Sequence, residues 1–199
     1  MSTPIKKPNF DLSWSKIKQI AQDFALATGM DTDAFASFEQ ALSNVESGIT
    51  LADLKGFTDK ELGALHAAAH HFYTHGAYDD AQSIYNLLIR LDHFEAKYYL
   101  GLAACKQMGK DHRGALILYE AAFLLDSRNP KMPFNSAVCY LALDQLDLAK
   151  QALAHANRLL VHPLKQADQS LYARVLKLES VVAQRERRAR ASNKQKDAV

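Results

Sequence analysis

Residues 96–129 read AKYYLGLAACKQMGKDHRGALILYEAAFLLDSRN, and their pattern recurs on both sides at a step of 34. Ala103 has counterparts at Ala69 and Ala137, and Ala115 at Ala81 and Ala149. Tyr119 is matched by Tyr85 and Leu153, and Ala122 by Leu88 and Ala156. Small residues at two places in each unit let two helices approach closely, and the large ones fill the space that is left. One such hairpin cannot bury its own apolar face, so three stacked units are about the minimum that forms a core.

A unit of this length and pattern is the signature of the tetratricopeptide repeat, a helix, a turn and a second helix. The fold class that follows is all-α: three tandem repeats in a helical hairpin solenoid, at 62–95, 96–129 and 130–163. In the first repeat, helix A over about 59–75 packs Leu65, Ala68, Ala69 and Phe72. Gly76 and Tyr78 make its turn, and helix B over about 78–91 adds Ala81, Ile84, Tyr85 and Leu88. The second uses Tyr99, Leu102, Ala103 and Lys106, then Gly109 at its turn and Ala115, Leu118, Tyr119 and Ala122. The third opens at Pro130, suited to a first helical turn, and Pro163 closes the array.

Outside the repeats the signals are weaker. Pro4 and Pro8 favour a partly disordered extension over 1–30, with a short helix bearing Trp14, Ile17, Ala21 and Phe24. N-terminal helices occupy 31–57, where Phe35, Phe38, Leu42 and Val45 form a stripe large enough to expect a homodimer contact. Thr50 and Asp53 start a short turn of helix that stops near Gly56. Thr58 and Glu61 form a capping box at the entry to the first repeat. After the array, Leu171, Val175, Leu178 and Val182 make the seam of a capping helix over 164–190. Residues 185–199 carry a net +4 where the whole chain carries +2, so 191–199 are expected as a disordered basic tail. Without interleaved aromatics or a DNA-binding motif, this tail is no argument for nucleic acid.

Composition sets outer bounds. The chain has 199 residues, 48% of them hydrophobic and 23% charged, as in an ordinary soluble domain. No apolar run is long enough to span a bilayer, and Lys6 and Lys7 lead into no signal-peptide core, so a cytoplasmic location is expected. Cys105 and Cys139 hold the same place in successive repeats, roughly 8–10 Å apart, beyond the reach of a disulfide. Both read as small buried residues.

Chemistry is sparse. His66 and His70, and again His71 and His75, are four apart and could share a metal on one helix face. The first pair lacks a zinc-protease glutamate, and no third ligand is evident. There is no phosphate-binding glycine loop and no nucleophile elbow, so neither catalysis nor a cofactor is expected.

What remains is a surface. With positions 4, 7, 8 and 11 of each repeat committed to packing, the stripe at 2, 5, 9 and 12 is free to face the concave side. It gives Gly63, His66, His70 and Tyr73, then Lys97, Leu100, Ala104 and Gln107, then Lys131, Phe134, Val138 and Leu141. This peptide-binding groove grows more apolar toward the third repeat. An apolar concavity of that size implies an occupant, either a partner or a segment of this protein itself.

Three segments carry a closer resemblance. Residues 48–62 read GITLADLKGFTDKEL, 91–105 read LDHFEAKYYLGLAAC, and 130–139 read PKMPFNSAVC. Together, over about 35–160, they resemble the class II chaperones of type III secretion systems, the SycD/LcrH-like family. The resemblance implies a cytoplasmic chaperone for hydrophobic translocator proteins, which holds an extended N-terminal client segment in the concave groove. It also implies homodimers through the N-terminal helices and, in some members, service as cofactor to a transcriptional activator. The family's groove falls on His66, His70, Tyr73, Leu100, Ala104, Phe134, Val138 and Leu141, with histidines at two places where members tend to carry aromatics. The competing reading is a general repeat adaptor, scaffold or transcriptional co-regulator that binds a different peptide. A carboxylate clamp of that kind would need Lys, Asn, Asn, Lys and Arg where this chain has His66, His70, Gly101, Lys131 and Asn135.

Overall fold

A computed structural model of the chain describes residues 47–160 and 166–196, with isolated helical positions between Ser15 and Ser43. Phe35, Phe38, Leu42 and Val45, expected at a dimer contact, lie outside the described residues, as do Trp14 and Pro163. Among the described residues there is no strand. From Leu51 on, the described residues form eight helices in order: α1 Leu51–Lys55, α2 Asp59–Thr74, α3 Tyr78–Leu91, α4 Ala96–Met108, α5 His112–Leu125, α6 Lys131–Ala142, α7 Leu146–Leu159 and α8 Gln166–Lys196.

The helix starts are chemically marked. Thr50 and Asp53 form a capping box on α1, and Thr58 and Glu61 form one on α2, each satisfying backbone N–H groups that the first turn leaves free. Hydrogen bonds from the Thr58 backbone and hydroxyl hold the Glu61 carboxyl below its ordinary pKa. The turns inside the repeats share one feature: Gly76, Lys110 and Asp144 all have positive φ, at 79°, 66° and 58°. They are 34 residues apart, so each hairpin needs a left-handed residue at the same place, and glycine meets that need only in the first. Gly109, expected at the second turn, is the right-handed residue before it, with φ −74°.

The alanine register becomes the core. Ala69, Ala103, Ala137, Ala81, Ala115 and Ala149 are all fully enclosed, with Tyr85, Tyr119 and Leu153 filling the space beside them. Tyr98 and Met132 are buried as well, one position away from the packing stripe read from sequence. Tyr99 is only half-buried and its hydroxyl donates to the His93 carbonyl, while Phe72 is largely exposed. One residue is about 100° of helix, so an adjacent position reaches the neighbouring repeat's helix instead. Lys106 occupies its packing position by laying its stem along the helix and pairing its ammonium with Asp111 at 2.9 Å. Gly101 is required by close approach: a Cβ there would run into the Tyr85 ring.

From α2 on, each helix packs on the next, while α1 lies against α3, α2 also against α4 and α8 against α6. The first helices of the repeats therefore line the tighter, inner side. Leu171, Val175 and Val182 of α8 close the third repeat's core with Leu153 and Leu160. This helix does not stop at 190: it is continuous to Lys196, through residues 191–196 expected as a disordered tail. From Arg185 to Lys196 the helix has no glycine or proline and carries four arginines, two alanines and two lysines. Extending a helix that packing has already nucleated costs little per residue.

Candidate functional site: the concave face

The residues assigned to the groove fall into three groups. His66, Tyr73, Leu100, Ala104 and Val138 are half-buried, each presenting part of its surface. His70 and Lys97 are exposed. Phe134 and Leu141, expected to project into an open groove, are instead core residues at 4% and 7% exposure. The physical reason is α8. It lies against the third repeat, joins Phe134 and Leu141 to Leu171 and Val175, and sends Arg185 Nη1 to donate to the Leu141 carbonyl at 3.1 Å.

At the other end the surface is aromatic and histidine-rich. The His66 ring sits 5.9 Å from Tyr85 and 5.8 Å from Tyr98. His70 lies 6.4 Å from Tyr73, which in turn lies 5.7 Å from Tyr78. Burial, then the charge of Lys97 and the neighbouring His70, lower the His66 pKa, so its neutral form is favoured. Burial pushes the Tyr85 and Tyr98 phenols up to about 12, so these rings are neutral apolar walls with polar tips. Lys97 stands 5.1 Å from the Tyr98 ring centre and pairs with Glu95.

The second histidine pair behaves differently. His71 and His75 rings lie 4.1 Å apart, and His75 Nδ1 is 2.8 Å from the His71 carbonyl, which commits that nitrogen. Among the described residues no three His, Cys, Asp or Glu side chains converge as metal ligands would. The cysteines are buried and free, with thiols pushed up to about 11 by burial, which leaves them poor nucleophiles. What the inner face can do is bind: a run of half-buried apolar groups crosses all three repeats, with polar edges on two of them.

A separate recess of about 560 Å³ opens between α5, α6 and α7, walled by Phe123, Leu124, Met132, Pro133, Leu148 and His155. None of the groove residues lines it. On the same helix Ile117 and Leu124 are 68% and 75% exposed. The 34-residue register places Ser83 and Gln151, and Arg90 and Arg158, at those two positions in the other repeats. That contrast was available in the sequence and was not read there.

Comparison with known proteins assigns the chain. It is 31% identical over 118 residues to the low calcium response locus protein H of Yersinia pestis, covering 59% of this chain and 70% of that one. It is 30% identical over 132 residues to the chaperone protein SicA of Salmonella typhimurium, covering 66% and 76%. The chain belongs to the translocator chaperones of type III secretion. No family model matches the sequence. Among solved structures, a type III secretion complex from Aeromonas hydrophila superposes with a TM-score of 0.70 at 30% identity, covering 74% of this chain and 97% of that one. SycD of Yersinia enterocolitica, bound to a peptide of the translocator YopD, gives 0.61 at 28%, over 65% and 97%. PcrH with the chaperone-binding region of PopD gives 0.62 at 35%, over 66% and 97%. These shares stop well short of the full chain. Among the described residues no helix is long and apolar enough to cross a membrane.

Proposed function

We propose that this chaperone works in the bacterial cytoplasm and holds an extended N-terminal segment of a hydrophobic type III secretion translocator on its concave face. In doing so it keeps the client soluble and ready for secretion. The carrying observation is the line of partly exposed groups on the inner layer, Tyr73, Leu100, Ala104 and Val138, drawn from all three repeats of a fold whose relatives were solved with translocator segments bound. An extended segment seats a few side chains among preformed apolar groups, and no bond is made or broken. Homodimerisation fits the same family, in which an alternative SycD dimer has been solved, and the stripe Phe35, Phe38, Leu42 and Val45 is our candidate contact.

Titration calorimetry with the N-terminal segment of a translocator from the same cell tests this. Tyr73→Ala should lower affinity about thirtyfold, the usual effect of removing an aromatic anchor. Full affinity in that variant would remove Tyr73 from the site.

A further inference from the structure

We propose that the client segment carries a side-chain carboxylate and that Arg174 of α8 receives it, at the end of the concave face beside Phe134. This rests on the groove reading above. Three observations lead to it, and the first is the distribution of charge. The inner helices α4 and α6 contain no aspartate or glutamate; their charged residues are Lys97, Lys106 and Lys131. Each second helix, by contrast, carries acid: Asp79 and Asp80 on α3, Glu120 on α5 and Asp147 on α7. The middle helices of the side that binds thus carry no carboxylate of their own, and Glu95 at the start of α4 is paired with Lys97.

The second observation is the setting of Arg174. Its guanidinium carbon lies 4.6 Å from the centre of the Phe134 ring. That ring is itself buried, so the cation is held against an apolar floor while the residue stays exposed. Among the described residues no carboxylate or carbonyl receives a hydrogen bond from it. Arg185, about three turns along the same helix, shows the contrast, since its donor is engaged by the Leu141 carbonyl. An arginine placed on an aromatic ring with its donors unspent presents the fork geometry that a carboxylate fits.

The third observation is reach. Burial pushes the Tyr73 phenol up, with Cys105 and Tyr78 adding to the effect, while the Arg174 charge acts in the opposite sense. Tyr73 belongs to the first repeat and Arg174 follows the third, yet the Arg174 charge is felt at the Tyr73 ring, so a segment that runs along the inner face from Tyr73 leads toward Arg174. Lys97 is already paired with Glu95 at 3.0 Å, so Arg174 is left to receive the acid. The client segment is an N-terminal one, so a carboxylate on it belongs to a side chain rather than to the chain's C-terminus.

The test uses the full chain and a set of synthetic twelve-residue peptides, acetylated and amidated, each with two leucines in a proline-containing extended sequence. One aspartate is moved through the remaining positions, and each peptide has an asparagine twin. By fluorescence anisotropy at low salt, at least one aspartate peptide should bind about fivefold tighter than its twin, the upper end for a solvent-accessible pair. In Arg174→Gln the twins should bind alike with an unchanged thermal melt, and Arg174→Lys should restore part of the difference. Equal binding of all twins to the wild type, or a preference that survives Arg174→Gln, would overturn the assignment. A matching gain by an asparagine peptide left with a free C-terminal acid would assign the terminus instead and overturn the side-chain source. If neither member of any pair binds, the groove reading itself fails and takes this one with it.

Discussion

The two ends of the inner face are built from one register and end in different states. Position five of the repeat is His66 in the first unit and Phe134 in the third; position twelve is Tyr73 in the first and Leu141 in the third. His66 and Tyr73 keep part of their surface open, whereas Phe134 and Leu141 are enclosed. The helices are alike; the neighbours are not. His66 stands beside the rings of Tyr85 and Tyr98, while Phe134 meets α8, which brings Leu171 and Val175 into the same core. Equivalent positions in a repeat protein thus share a direction without sharing an environment, because each is closed by whatever stacks next.

The sharpest way to break that contrast is to truncate both ends. Phe134→Ala should cost about 3–5 kcal/mol in chemical denaturation, as removal of a buried phenylalanine does. Tyr73→Ala should cost about 1 kcal/mol or less and act on client affinity instead. Equal losses from the two variants would mean that α8 does not close the third repeat in solution. Tyr119→Ala provides the shared reference. Its ring is 1% exposed, its hydroxyl donates to Gln107 Oε1 at 2.7 Å, and its loss should unfold the whole array.

A smaller effect separates the ends by pH. The folded pKa of His66 lies below its ordinary value, so in that window the unfolded chain holds more protons. Stability should be complete above about pH 6.5 and fall as pH drops through the window, with His66→Gln flattening the profile. The charges that face this ring are those of Lys97, His70 and Glu95, the last opposing the shift. A client segment lying over His66 should likewise bind about threefold more weakly at pH 5.5 than at 7.5, since a protonated imidazole resists desolvation. Binding that is independent of pH would place the client away from His66.

The smallest effect concerns the turns. Gly76 meets the left-handed requirement of the first hairpin, while Lys110 and Asp144 adopt the same conformation with a Cβ. Lys110→Gly should stabilise the second repeat by about 0.5–1 kcal/mol, measured by thermal melting, and Asp144→Gly by less, since aspartate tolerates that region better. A loss in both would show that the side chains there contribute more than the backbone strain costs.

Much of this was legible in the sequence because it repeats. The alanine positions, both capping boxes and the hairpin boundaries follow from spacing and from local hydrogen-bond chemistry, which act within one unit. The closure of Phe134 and Leu141 was not legible, since α8 stands outside the 34-residue register and its docking is a tertiary matter. Tyr98 and Met132 were missed because a single residue turns a side chain from one neighbour to another. The length of α8 was missed because a run of charge was read as solvation, although arginine, lysine and alanine also propagate a helix. Of the groove stripe, exposure was not readable: His70 and Lys97 are exposed, His66, Tyr73, Leu100, Ala104 and Val138 are half-buried, and Phe134 and Leu141 are enclosed.

The central claim is that the client lies on the inner layer, and photocrosslinking tests it most directly. A p-benzoylphenylalanine in place of Leu100 reports on the concave face, and one in place of Ile117, exposed on α5 away from the groove, reports on the opposite side. Irradiation in intact native cells followed by mass spectrometry should join position 100 to the N-terminal segment of a translocator and leave position 117 without that product. A translocator crosslinked at 117 and absent from 100 would contradict the account.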